Sequence, residues 1–133
     1  MTSNQTITDD QIADLLSMAA VIDYRKIGDA EVDLWHAIAV THNWTWPLAR
    51  RALIDHYAES RDRIMPADIT RRIAEARRAV YAAFQIPPHS AELADDGRAF
   101  VAWAKERAAE HMAVGLGEWA AYGRLPQPLE LEA

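Results

Sequence analysis

Apolar residues recur along this chain at three- and four-residue steps, and no stretch alternates them with polar residues at the period of a strand. Gly28, the Asn43–Pro47 region, Pro66, Pro87-Pro88 and Pro126 interrupt the pattern and divide it into helical pieces. The first helix is predicted to start at Thr8, because Thr8-Asp9-Asp10-Gln11 has capping-box spacing. Ile12, Leu15, Leu16, Ala19 and Ile22 then form one stripe. A second helix over Ala30 to Val40 follows Gly28, with Asp29 as N-cap and Val32, Trp35, Ile38 and Ala39 on one face. A third runs from Pro47, which suits a first helical turn, through Leu48, Ala52, Leu53 and Tyr57 to Ser60. Trp44 and Trp46 fall on the connection before it.

The fourth helix starts at Pro66 and has the clearest seam: Ile69, Ile73, Ala76, Val80 and Phe84. Arg71, Glu75 and Arg78 lie opposite this seam, and Arg72 and Arg77 flank it. Pro87-Pro88 stop the helix, and residues 87–96 read as a linker. A last helix spans Gly97 to about Gly123, with Phe100, Ala104, Ala108, His111 and Met112 able to share a face. Gly115 and Gly117 each weaken it by roughly 1 kcal/mol relative to Ala, which predicts a bend or an end there. Residues 126–133 read as a flexible tail. The expected fold is all-α: a four-helix N-terminal domain over 8–86, the linker, and a C-terminal helical segment over 97–125. Its core is expected at Leu15, Ile22, Trp35, Ile38, Leu53, Ile69, Ile73 and Phe84.

Composition sharpens this picture. Of 133 residues, 50% are hydrophobic, enough for a packed core. There is no cysteine, so disulfides, thiolate metal sites and thiol catalysis are excluded. No run has the length of a membrane span and the first residues are polar, so the expected location is cytoplasmic. The net charge of −6 is unevenly spread: residues 1–49 carry −5, residues 50–78 carry +3 and residues 79–133 carry −4. An acidic chain with a basic middle is a poor generic coat for nucleic acid, so DNA binding is expected to be weak or absent.

Candidate chemistry is sparse. No phosphate loop, zinc-protease or nucleophile-elbow motif occurs. The five histidines, His36, His42, His56, His89 and His111, have no second histidine at helical spacing. The expectation is therefore a protein that is not an enzyme and has no cofactor and no metal. The arginine pairs of the fourth helix, Arg71, Arg72, Arg77 and Arg78, read either as a solvated face or as a basic face for phosphate or an acidic partner. Five tryptophans are many for this length. Trp103 projects off the seam of the last helix, and Trp103, Met112, Leu116 and Trp119 are the candidate apolar anchors for a partner or for a homodimer.

The run Asp10-Gln11-Ile12-Ala13-Asp14-Leu15-Leu16, then Ile22-Asp23-Tyr24, Val32-Asp33-Leu34-Trp35-His36, Ala49-Arg50-Arg51-Ala52-Leu53, His56-Tyr57-Ala58-Glu59-Ser60 and Met65-Pro66-Ala67-Asp68-Ile69 resembles the replicative-helicase loader and inhibitor family of phages infecting Gram-positive bacteria. The resemblance covers roughly residues 8–80; Met65-Pro66 stands where the family often has Pro-Pro. It implies an all-helical N-terminal domain and a C-terminal region that grips the hexameric replicative DNA helicase. It also implies that the protein holds the helicase inactive and delivers it to an origin-bound initiator protein. Two other readings stay open on the residues alone. One is a small helix-turn-helix-like DNA-binding regulator using the third and fourth helices. The other is an inhibitor of a different host protein.

Overall fold

A computed structural model describes residues 5–127. Among these the fold is helical with no strand, and it has six helices: α1 (Asp9–Asp23), α2 (Asp29–Thr41), α3 (Trp46–Glu59), α4 (Pro66–Ala82), α5 (Ala91–Asp95) and α6 (Gly97–Tyr122). No helix of the described residues is long and apolar enough to cross a membrane.

Local chemistry sets the ends. Thr8 Oγ1 accepts from the Gln11 N–H at 3.1 Å, and Gln11 Oε1 accepts from the Thr8 N–H at 3.0 Å, which completes the capping box. Asp68 accepts from the Met65 N–H at 2.8 Å ahead of α4, and Asp96 accepts from the Ala99 N–H at 3.1 Å ahead of α6. Gly123 ends α6 at φ 70°, in the left-handed region that glycine enters without strain. Tyr24 takes the same region at φ 57° and turns the chain off α1.

α3 and α4 form the central pair, with α1 and α2 packed on one side and α6 on the other. Ile12, Leu15, Leu16, Trp35, Leu53, Ile69 and Ile73 meet in one buried cluster. Some members of this cluster were not expected in the core, Trp44 and Ile7 among them. Trp44 is fully buried, stands edge-on to Trp35 at 6.3 Å between ring centroids, and donates its indole N–H to Thr70 Oγ1 at 3.0 Å. Ile7 is also buried, held by an N–H···O bond to Trp44 at 3.1 Å within a short antiparallel bridge between Thr6 and Thr45.

Several expectations need correction. Ile22 is half exposed, because at the end of α1 the inward position is taken by the next residue, Asp23, which bonds Tyr57 of α3; Ile38 and Phe84 are only partly buried. Residues 87–96 are not all linker: Ser90 caps the single turn of α5 by accepting from the Leu93 N–H at 3.1 Å. The last helix neither bends nor ends at its glycines but runs unbroken over 26 residues. It also packs along α3 and α4, and its Trp119 belongs to the same core cluster as α1–α4, so it is no detached arm. The expected tail lies, from residue 128 onward, outside the described residues.

Candidate partner-docking groove

Three polar linkages hold the helices together. The first joins α1, α2 and the α3–α4 connection. Arg25, buried just past the end of α1, donates to both carboxylate oxygens of Asp23, at 2.6 Å for the shortest contact, and to the Ile64 carbonyl at 2.8 Å. Its guanidinium lies 5.5 Å from the Trp35 ring centroid, and Glu31 stands 3.6 Å from its other terminal nitrogen. Tyr57 donates its hydroxyl to Asp23 at 2.6 Å and accepts from the Ile64 N–H at 3.0 Å. The Arg25 guanidinium lowers the Asp23 carboxyl to a pKa of about 2. Burial, seconded by the bond to Asp23, pushes the Tyr57 phenol up. Burial alone would lower the Arg25 guanidinium, but Asp23 outweighs it and holds the charge on.

The second linkage fixes the C-terminal end of α6. Arg51 donates to the Ala120 and Ala121 carbonyls, each at 3.2 Å, which places a cation at the negative end of the helix dipole. Asp55 joins this group: it accepts from Arg51 at 3.3 Å and from the Trp119 indole N–H at 3.0 Å. The third linkage is His111 Nε2, 2.7 Å from the Val80 carbonyl at the end of α4. Beside it, α4 and α6 approach closely at Gly115. A Cβ there would overlap both Val80 methyls, one of them at 2.9 Å.

Held in this way, α6, α4 and the start of α3 leave a groove of about 370 Å³. Pro47, Leu48, Met112 and Leu116 line its apolar part, with Ala113 and Gly117 beside them on α6. Arg77 and Asn43 give it a polar end, where Arg77 donates to the Asn43 carbonyl at 3.4 Å.

The candidate anchors on the last helix therefore separate. Met112 and Leu116 come together in the groove. Trp119 does not: it is 3% exposed, part of the core and bonded to Asp55, which corrects its assignment as a partner anchor. Trp103 lies away from the groove, in an aromatic group with His89 at 5.4 Å and Phe100 at 6.0 Å.

The candidate basic face of α4 disperses as well. Arg72 is turned back onto Glu59 at 2.9 Å. Arg71 lies between Asp68 and Glu75 at 3.6 and 3.8 Å. Arg77 turns into the groove, and Arg78 is exposed. The histidines stay apart: His36 lies against Asp9 and the Ile7 carbonyl, His56 against the Asp62 carbonyl, His111 against Val80 and His89 against aromatic rings, and His42 is exposed. No cluster of three His, Asp or Glu side chains among the described residues is arranged to hold a metal ion.

Sequence reasoning missed the Asp23–Arg25–Tyr57 group, because its members come from different segments and nothing in their spacing pairs them. Comparison with protein-family models, with curated proteins and with solved structures finds no match to this chain.

Proposed function

We propose that this chain is a phage DNA-replication accessory protein without chemistry of its own, which binds the hexameric replicative helicase, holds it inactive and delivers it to an origin-bound initiator. In this reading residues 8–86 are the loader-like unit, α6 is the wall it offers to the partner, and the protein acts in the cytoplasm of the host cell.

One observation carries the reading. Four of the six runs on which the resemblance rests are physically joined. Asp23 accepts from Tyr57, and Arg25 ties Asp23 to Trp35 and to the residue before Met65-Pro66. Asp68 then caps the helix that Pro66 opens. Short motifs scattered over some fifty positions thus converge on one support for α1–α4, as expected when a scaffold rather than an active site is shared. The DNA-binding alternative draws less support, since Arg72 and Arg77 point away from any common surface with Arg71 and Arg78.

The test is direct. Purified chain and the host's hexameric helicase should co-elute in size exclusion, and the helicase ATPase should fall as the chain is titrated in. Separate elution with an unchanged ATPase rate would remove this reading.

A further inference from the structure

We propose that the groove between α6 and the start of α3 receives an amphipathic helix of a partner protein, one with an apolar face and carboxylates along its flank. The inference rests on the reading above and deepens it by naming the surface and the chemistry that the helicase would bring to it.

Shape comes first. The floor is apolar, built by Pro47, Leu48, Met112 and Leu116. On the α6 side the wall positions are small: Ala109, Ala113 and Gly117 recur at every fourth residue, and a Cβ added at Gly117 would meet nothing within 4 Å. Small side chains on one helix let a second lie close along it, near the lower end of the roughly 8–10 Å usual between packed helix axes.

Charge selects the occupant. Arg77 closes one end of the groove and bonds only a neutral carbonyl. Lys105 precedes Met112 by two turns on the same side of α6, and Arg98 precedes Lys105 by two more. Both are exposed, and among the described residues none of the three cations makes an ion pair. The acids of α6 are engaged elsewhere, Glu106 and Glu110 with Arg107 and Glu118 with Arg124. In a chain of net charge −6, one unpaired cation in the groove and two more continuing along α6 beyond it are complementary to an acidic flank. An apolar floor suits the side chains of a helix and offers nothing to a phosphate backbone.

The absence of cysteine gives a clean probe. Ala113→Cys, with Gly117→Cys as a second version, places a single thiol on the exposed wall, and Leu34→Cys on the exposed face of α2 is the control. A fluorophore on the thiol at position 113 reports two synthetic helices with the same alanine–leucine face, one flanked by glutamates and the other by lysines. The glutamate helix should bind at least about tenfold more tightly, weaken as salt is added, and lose that advantage in Arg77→Glu/Lys105→Glu. With purified helicase, the thiol at position 113 should be shielded from maleimide while the one at position 34 reacts as before.

Equal binding of the two helices, or none, would overturn the inference. So would tighter binding of an oligonucleotide, or shielding of position 113 by a second copy of the chain. Helicase that binds and leaves position 113 open removes the groove but keeps the proposed function. Glutamate-helix binding without helicase binding does the reverse.

Discussion

Tyr57 makes two bonds through one oxygen, and its neighbours depend on both. Tyr57→Phe removes the donor to Asp23 and the acceptor for the Ile64 N–H without changing the ring. A loss of about 1–3 kcal/mol is expected in urea titrations, mainly from the polar groups left without partners. Asp23 makes the stability depend on acid. Its folded pKa of about 2 lies below the ordinary 3.8, so between those values the unfolded chain binds the extra proton. The contribution, about 2 kcal/mol, is complete above roughly pH 4 and fades as the pH falls toward 2. Asp23→Asn should flatten the acid limb of a stability–pH curve, and should also weaken the fold at neutral pH by about 3 kcal/mol, because Arg25 stays buried with a poorer partner. At this scale the sequence was only partly legible. Leu15, Trp35, Leu53, Ile69 and Ile73 followed from helical spacing and are buried. Ile22 had the same spacing but stands at the edge of the stripe, where Asp23 takes the inward position and bonds Tyr57. Trp119 resembled an exposed anchor because its hydrogen-bond partner, Asp55, is far away in the chain.

Among the elements, α6 shows how two identical residues on one helix differ. Gly115 faces Val80 where two helices touch, whereas Gly117 faces open space. Gly115→Ala should therefore cost about 1–3 kcal/mol by overpacking, despite its better helix propensity. Gly117→Ala should raise stability by up to about 1 kcal/mol in the same denaturation assay. Sequence propensity counts both glycines as weak points and predicts a break. It has no access to the close helix crossing that Gly115 permits, or to the Arg51 and His111 bonds that hold the helix on either side of it. The starts of α1 and α4 were legible because caps are local: Thr8 and Pro66 act within a few residues of themselves, whereas Asp29, expected as the N-cap of α2, lies inside the helix and Gly28 stands at its cap without a side-chain bond. The turn of α5 was hidden between prolines and acids that read equally well as linker.

At the scale of the whole molecule, the expected division into an independent domain and an appended helix gives way to one continuous core. Trp119 lies in the same cluster as Leu15 and Ile69, and Val80 is covered by Gly115. A fragment ending at residue 86 should accordingly melt at least about 10 °C below the full chain, with a lower urea m-value, since it exposes surface that α6 covers. A fragment as stable as the parent would contradict this packing. The groove itself was half legible. Met112, Leu116 and Arg77 were singled out from the sequence, each for a separate reason, but their meeting depends on how α6 crosses α3 and α4, which single-chain periodicity does not encode.

α6 is about 39 Å long, against about 21 Å for α3 and 26 Å for α4. Its fastenings to α3 and α4, at His111, Gly115, Trp119 and the Arg51 bonds, all fall in its second half, while Phe100 and Trp103 in the first half pack on His89 of the preceding connection. A stiff rod gripped toward one end is a lever. A pull on its first turns would reach the rest of the molecule as torque about those fastenings, so the earliest mechanical yielding should occur at the α4–α6 crossing and leave the Arg25 linkage intact.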